Sequence, residues 1–149
     1  MQAREIMTES PACCTPSDSL RTVANAFIDN DCGLLPVVDS PQNKRLIGVV
    51  SDRDIVCRVL AKDDADWSSA TVQQAMTTGK LWTVQADASV DEVLEKMEEG
   101  QVRRIPVVDE KNSVVGIIAT ADIALELDEP EEVAEVFEEI SEPTHIPHA

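Results

Sequence analysis

The sequence predicts an α/β (α+β) fold assembled from two copies of one small unit. The segment GLLPVVDSPQNKRLIGVVSDRDI at residues 33–55 returns in altered form as RRIPVVDEKNSVVGIIATADI at residues 103–123. Each copy combines a segment of helical periodicity with short runs of branched apolar residues, which are typical of strands. A unit of about 60 residues buries too little surface to be stable alone, so we expect the two repeats to pack together.

Each repeat is predicted to begin with a short strand and an amphipathic helix. The strands are the segments CCT and WTV, and Ser19 and Ser89 are predicted N-caps of the helices that follow. The apolar residues of the two helices have the i, i+3, i+4, i+7 spacing of one buried face. Corresponding residues of the two helices are always separated by the same number of positions along the chain, and we call this number the repeat offset. The corresponding pairs are Leu20 and Val90, Val23 and Val93, Ala24 and Leu94, and Phe27 and Met97.

A hairpin and a second helix are predicted to complete each repeat. The runs LLPVV and RIPVV are followed by a polar turn and then by LIGVV or VVGII, a pattern that indicates two strands joined by a turn. The apolar residues of the second helix are Ile55, Val56, Val59 and Leu60 in one repeat and Ile123, Ala124 and Leu127 in the other. Both halves therefore have the order strand, helix, strand, strand, helix.

Four segments follow from these patterns. We predict a first repeat at residues 1–60, a polar linker at 61–70, a second repeat at 71–128, and an acidic C-terminal helix with a flexible tail at 129–149. The C-terminal helix is expected to start at Pro130 and to carry one apolar stripe, Val133, Val136, Phe137 and Ile140. Such a stripe either joins the core or forms a dimer contact.

Composition and charge exclude several classes of function. The net charge is -17, and residues 112–149 contain ten Asp or Glu and no Lys or Arg, which disfavours binding to nucleic acid or to an anionic membrane. No apolar run is long enough to cross a bilayer, and the start MQAREIMTES lacks a signal-peptide core, so we expect a cytoplasmic protein. The only histidines, His145 and His148, lie in the tail, so an enzyme built on a Ser-His or Cys-His pair is not expected.

The four cysteines do not form a metal-binding pattern. Cys13, Cys14, Cys32 and Cys57 show no CxxC spacing, so we predict neither a zinc site nor a thioredoxin-like motif. We expect reduced and mostly buried thiols, although a disulfide from Cys13 or Cys14 to Cys32 stays open. Redox sensing through these residues would require a lowered thiol pKa.

The repeated motifs together identify a family resemblance. The IPVVD-type strands, the strands that contain Gly48 and Gly116, and the endings SDRDI and ATADI resemble two CBS domains in tandem, a Bateman module, over about residues 3–128. The resemblance implies repeats packed through their sheets about a pseudo-twofold axis, with two clefts between them. It also implies that the clefts bind AMP, ADP, ATP or S-adenosylmethionine as regulatory ligands, that the module has no catalytic cofactor, and that modules pair into homodimers.

The ribose-binding signature of the family is Ser or Thr, two residues, then Asp. Ser51 and Asp54 match it, and a carboxylate can accept hydrogen bonds from both ribose hydroxyls. The same two residues also suit an N-cap and a first-turn acid, so the spacing leaves both interpretations open, and we favour the ligand role. The second repeat keeps Asp122 but has Ala119 at the hydroxyl position, with Thr120 one place later.

Two arginines and a set of apolar residues complete the predicted nucleotide site. Arg103 and Arg104 stand where family members carry basic residues that face the phosphates, whereas the first repeat has Gly33 and Leu34 there. Because alternate strand residues point in opposite directions, at least one arginine is expected to face solvent or the acidic tail. The resemblance matches two adenine slots, Cys14 with Leu35 and Val84 with Ile105. We expect one good site rather than two.

These observations favour a regulatory module that senses an adenosine nucleotide and signals to an unidentified target protein. The alternative is a CBS-fold interaction or dimerisation protein that binds no ligand and uses its acidic helix for docking. Ala119 favours the alternative, because it lacks the hydroxyl of the signature, whereas Ser51 and Asp54 favour nucleotide binding.

Overall fold

The structure, a computed structural model, describes residues 1–62, 66–127 and 130–141, without the side chains of Pro130, Glu132 and Val136. The predicted tail beyond residue 141, with His145 and His148, lies outside the described residues, as do 63–65 of the predicted linker. Across the described ranges, every helix is too short or too polar to span a membrane.

In both halves the helices and the hairpin strands follow the predicted order, but the predicted strand CCT of the first half is only a single bridge at Cys14. The helices are α1 Ala3–Ile6, α2 Leu20–Asp29, α3 Asp52–Ile55, α4 Val72–Ala75, α5 Val90–Gly100, α6 Thr120–Glu126 and α7 Pro130–Ser141. The strands are β1 Thr8–Glu9, β2 Leu34–Val38, β3 Leu46–Ser51, β4 Val84–Gln85, β5 Arg104–Val108 and β6 Val114–Ala119. Helix α3 continues as a π-helical segment, Val56–Leu60.

The long helix of each repeat begins at its predicted cap. The hydroxyl of Ser19 accepts a hydrogen bond from the backbone N–H of Thr22 at 3.1 Å, and Ser89 makes the same bond to Glu92 at 3.2 Å. The buried faces agree with the predicted spacing, except that Ala24 is exposed. Helix α2 therefore buries a narrower face than the sequence predicts.

The two hairpins are copies of each other down to their irregularities. Strands β2 and β3 are antiparallel, as are β5 and β6, and each pair shifts register at the same place, after Val37 and after Val107. A preceding segment runs parallel to the first hairpin strand in both cases. It is β4 in the second repeat and a single bridge from Cys14 to Val37 in the first.

The short segment that precedes each repeat completes the sheet of the other one. Strand β1 pairs with β6, and Thr77 pairs with Val49 of β3 through two backbone hydrogen bonds of 2.8 and 3.0 Å. Helix α1 packs in the core beneath β5 and β6, and α4 packs in the core beneath β2 and β3. We call the β2–β3 sheet with its helices α2, α3 and α4 the first unit, and the β1–β6–β5–β4 sheet with α1, α5 and α6 the second unit.

Two glycines permit this exchange, because a side chain at either position would collide with the arriving segment. A Cβ atom at Gly48 would lie 2.8 Å from the carbonyl oxygen of Thr77, and one at Gly116 would overlap the side chain of Met7. The glycines that mark the family pattern are therefore the points where the exchanged segments lie against the hairpins.

The two units meet at the turn ends of their hairpins. Val38, Leu46, Val108 and Val114 form a separate buried cluster there. The backbone N–H of Leu46 donates to the carbonyl of Asn112 at 3.0 Å, and that of Val114 donates to Lys44 at 2.8 Å. The expected packing of tandem repeats through their sheets is confirmed.

Helix α7 covers the outer face of the second unit. It packs against both α5 and α6, and Ile140 is only 5% exposed and belongs to the core of that unit. Val133 and Phe137 are half-buried, whereas the predicted stripe residue Val136 lies outside the described side chains. The stripe thus contributes to a core within the same chain.

The contact between α5 and α7 predicts a pH effect. A hydrogen bond and charge repulsion from Glu98 raise the pKa of Glu139 above its ordinary value. The contact therefore stabilises the fold at low pH, and this contribution is lost as the pH rises through the raised pKa. We expect Glu139→Gln to be more stable than the wild type at about pH 7 and no different near about pH 4, where glutamates bind protons.

Urea unfolding across this pH range measures the difference. The matched control is Glu135→Gln, since Glu135 is exposed on the same helix. An equal effect of both substitutions would show that overall charge, rather than the contact with Glu98, determines the pH dependence.

Candidate functional site

Two clefts lie where the chain crosses from one unit to the other. The crossing segment after β1 contributes Ser10, Pro11 and Ala12 to a cleft of about 530 Å³. The crossing segment after α4 contributes Lys80, Leu81 and Trp82 to a cleft of about 330 Å³. We call them the larger and the smaller cleft.

The two linings are related by the internal repeat. Lys80, Leu81 and Trp82 follow Ser10, Pro11 and Ala12 by the repeat offset that separates the long helices, and Leu34 and Arg104 line both clefts. These crossing residues belong to none of the ligand motifs in the sequence, so motifs alone do not predict them. Once one set is known, the repeat offset identifies the other.

Asp122 is the residue best placed for ligand binding in the larger cleft. Its Oδ2 atom accepts a hydrogen bond from the backbone N–H of Ala119 at 2.8 Å, which fixes the half-buried carboxylate at the start of α6. Because a carboxylate has two oxygens and about four acceptor positions, this bond leaves Oδ1 able to accept from a ligand. Leu35 and Arg104, both predicted site residues, line the same cleft.

The larger cleft carries excess negative charge. Glu9, Asp31 and Asp122 contribute three carboxylates to the described lining, against the single guanidinium of Arg104. Phosphate groups would be repelled here, whereas a neutral or cationic ligand would be favoured. Cys32 also lines this cleft.

The smaller cleft has the opposite charge. Its described lining contains Lys80, Arg103 and Arg104 and no carboxylate. The ammonium of Lys80 lies 4.2 Å from the ring centroid of Trp82, and a guanidinium N–H of Arg103 donates to the hydroxyl of Ser141 on α7 at 3.3 Å. In a chain of net charge -17, this group of cations gives the smaller cleft a local positive charge, which would attract anions.

Ser51 and Asp54 form a reciprocal cap at the start of α3. The hydroxyl of Ser51 accepts from the N–H of Asp54 at 3.1 Å, and Oδ2 of Asp54 accepts from the N–H of Ser51 at 3.0 Å. Arg58 lies 3.7 Å from the other carboxylate oxygen. Neither residue belongs to the lining of the two clefts, so their ligand role stays a prediction.

The remaining predicted site residues are buried in the hydrophobic cores or contribute a backbone hydrogen bond. Cys14, Val84 and Ile105 are buried core residues, and Cys14 also borders a separate cavity of about 330 Å³. Thr120 begins α6, and its N–H donates to the carbonyl of Arg103 at 3.0 Å. The structure therefore brings Leu35, Arg104 and Asp122 together, and it brings Arg103 beside Arg104.

Cys13 and Cys14 do not have the environment of reactive cysteines. Burial raises the pKa of Cys14 to about 12 and also raises that of Cys13, so both thiolates are disfavoured. All four cysteines are free. Within the described residues, no three His, Cys, Asp or Glu side chains are grouped to hold a metal ion.

The sequence profile of the CBS domain matches the chain twice, at residues 3–61 and 72–129. The chain belongs to the CBS domain family. It is 39% identical to Hypoxic response protein 1 of Mycobacterium tuberculosis over 127 residues, 85% of each chain. It is 37% identical to the uncharacterized protein YlbB of Bacillus subtilis over 139 residues, 93% of this chain and 90% of the relative.

Solved CBS structures share the fold. The crystal structure of Hypoxic Response Protein I with two coordinated zinc ions superposes with a TM-score of 0.75 at 38% identity, covering 85% of this chain and 99% of that one. The CBS domain pair of protein MJ0100, in complex with 5′-methylthioadenosine and S-adenosyl-L-methionine, gives a TM-score of 0.72 at 28% identity, with 84% and 94% coverage. The predicted resemblance to a tandem CBS pair is confirmed, and a related pair binds adenosine ligands.

The reciprocal cap at α3 predicts a difference between two substitutions of one residue. Asp54→Ala removes the acceptor for the N–H of Ser51 and should cost about 0.5–1.5 kcal/mol in the free energy of unfolding, the usual net contribution of one hydrogen bond. Asp54→Asn keeps an amide oxygen at the same place and should cost much less. Urea unfolding of both variants measures this, and equal losses would show that the hydrogen bond does not stabilise the turn.

Proposed function

We propose that the protein is a regulatory module that binds adenosine-containing ligands in the clefts between its two CBS units and signals to a partner protein. The observation that carries the proposal is the larger cleft, whose lining combines the carboxylate of Asp122 with the apolar side chain of Leu35. A cleft of about 530 Å³ is within the usual range for small-molecule sites. The adenosine ligands of the MJ0100 pair support the same ligand class.

The charge of the larger cleft favours S-adenosylmethionine over AMP, ADP or ATP. Asp122 would accept hydrogen bonds from the ribose hydroxyls. The neighbouring carboxylates of Glu9 and Asp31 suit a cationic sulfonium and disfavour a phosphate chain. Both ligands in the structure of the MJ0100 pair lack phosphate, which agrees with this choice.

The smaller cleft suits AMP, ADP or ATP instead. Lys80, Arg103 and Arg104 offer donors and positive charge for phosphate oxygens, and the apolar side chains of the same lining, among them Leu81 and Val102, suit adenine. The two clefts would then report on two different ligands, one with phosphate and one without.

Signalling follows from the position of the larger cleft between the units. A ligand there would contact Leu35 of the first unit and Asp122 of the second, so it would stabilise the arrangement in which both are within reach. A ligand can shift a conformational equilibrium only through such a difference in affinity between states. A homodimer of this chain would bind an unidentified target protein and pass the signal to it.

One observation favours a second function. Ala119 removes the hydroxyl of the ribose signature from the larger cleft, as expected for an interaction protein that has lost its ligand. That protein would dock a basic partner through acidic α7, and the association would weaken strongly with salt and would not respond to nucleotides.

Thermal unfolding with added ligand tests the proposal. S-adenosylmethionine at about 100 times its dissociation constant should stabilise the wild type by about 2.7 kcal/mol, which raises the midpoint by about 5 to 10 °C. Asp122→Asn should abolish the shift, because the amide keeps the cap to Ala119 but replaces an acceptor with a donor.

The matched control is Asp54→Asn, which makes the same change in the equivalent turn outside both cleft linings. It should keep the full shift. If folded wild-type protein, free of copurified ligand, responds to none of S-adenosylmethionine, AMP, ADP and ATP, the ligand-free alternative is favoured. If Asp54→Asn loses the shift and Asp122→Asn keeps it, the site lies at Ser51 and Asp54.

A further inference from the structure

Helix α7 contacts a side chain that lines the smaller cleft. The helix packs against α5 and α6 and buries Ile140 in the core of the second unit. Ser141, the last residue of α7, accepts a hydrogen bond of 3.3 Å from a guanidinium N–H of Arg103. Because Arg103 also lines the smaller cleft, one side chain touches both α7 and the space in which a ligand would lie.

The bond to Ser141 leaves the charge of Arg103 available. A guanidinium has five N–H donors, and Ser141 accepts from one nitrogen only, so other N–H groups can bind phosphate oxygens. In the described part of the chain, the one ion pair joins Arg58 to the carboxylate of Asp54. A carboxylate partner offsets much of the positive charge of an arginine, whereas a neutral hydroxyl does not. Ser141 can therefore hold Arg103 in place without weakening its attraction for an anion.

A held arginine binds a phosphate more tightly than a free one. The side chain of Arg103 is exposed, and a ligand that fixes an exposed arginine must overcome the loss of its rotamer freedom. The hydrogen bond to Ser141 restricts the side chain before the ligand arrives, so less freedom is lost on binding. Coupling of this kind is reciprocal: if docked α7 strengthens ligand binding, the ligand stabilises docked α7 by the same factor.

The docking of α7 combines favourable and unfavourable contacts. Ile140 favours docking because it is buried in the core, and the half-buried Val133 and Phe137 lie on the same apolar stripe. Glu98 of α5 opposes docking at neutral pH, because its ionised carboxylate repels that of Glu139. A helix held by opposing contacts is sensitive to a modest additional one, such as the bond between Ser141 and Arg103.

We propose that α7 reports whether the smaller cleft is occupied: Ser141 positions Arg103 for a phosphate-bearing ligand, and the bound ligand in turn holds α7 against α5 and α6. When the cleft is empty, α7 would detach more often and expose the apolar residues Val133, Phe137 and Ile140 to a partner protein. The inference rests on the proposed binding of AMP, ADP or ATP in this cleft, and it adds Ser141 as a positioning residue on a separate helix.

Calorimetric titration of ATP into the full-length chain tests the positioning role. Ser141→Ala should weaken ATP binding by about 3- to 10-fold, the range expected for the loss of one hydrogen bond. Ser141→Thr keeps a hydroxyl and should bind ATP as the wild type does. The matched control is Ser17→Ala, since Ser17 is an exposed serine that lines neither cleft, and it should leave the affinity unchanged.

A double-mutant cycle shows whether Ser141 acts through Arg103. In protein that already carries Arg103→Ala, the further change Ser141→Ala should have no effect on ATP affinity, because the hydroxyl then has no guanidinium to hold. The same loss in both backgrounds would show that Ser141→Ala disturbs the fold rather than the position of Arg103, and it would overturn the inference.

Hydrogen exchange of the amides of α7 tests the reciprocal effect. Saturating ATP should slow exchange across residues 131–141 by about 3- to 10-fold in the wild type, the same factor as the change in affinity. In Ser141→Ala, ATP should leave this exchange unchanged. Faster exchange with ATP, or tighter ATP binding by Ser141→Ala, would show that phosphate and Ser141 compete for Arg103, which would overturn the inference.

The outcomes separate this inference from the proposed function. A folded wild type that binds no ATP would overturn both the proposed phosphate ligand of the smaller cleft and the role of α7. Equal ATP affinity of the wild type and Ser141→Ala would overturn the role of Ser141 and α7 alone. Circular dichroism of each variant shows that it is folded.

Discussion

The exchange of leading segments between the two units is the constraint on which the rest of the structure depends. The sheet of each hairpin is extended by a segment that precedes the other repeat. Strand β1, near the N-terminus, pairs with β6, and Thr77, which follows α4, pairs with Val49. After making these contacts, the chain must return to the other unit. The two return paths form walls of the clefts, so the site is a direct consequence of how the sheets are completed.

The repeat supplies the shape of the clefts, and divergence between the repeats supplies their chemistry. At the repeat offset, Ser10 and Ala12 become Lys80 and Trp82, and the charge of the lining changes from negative to positive. Arg104 lines both clefts, so the difference comes from the residues around it. The same divergence acts on the outer faces, where Glu98 meets α7 and its counterpart Ile28 stays exposed.

The sequence predicts local structure well and long-range partners poorly. The caps at Ser19 and Ser89, the hairpins and the helix at residues 130–141 follow from spacing, because each depends on neighbours within a few residues. The pairing of β1 with β6 and of Thr77 with Val49 could not be predicted from the sequence. Pairing between residues that are far apart along the chain leaves no local sequence pattern. Among the residues that line the clefts, Arg104 and Asp122 were predicted from their residue types. Spacing could not show that Ser51 and Asp54 lie outside the cleft linings, because a reciprocal cap and a ribose site use the same two residues.

We propose that the two clefts select ligands of opposite charge. Calorimetric titration of ATP into protein already saturated with S-adenosylmethionine tests this selection most directly. If each ligand has its own cleft, ATP binds with the same affinity and with one molecule per chain, whether or not the first ligand is present. Displacement of S-adenosylmethionine by ATP would overturn the proposal, because it would show that both ligands use one cleft.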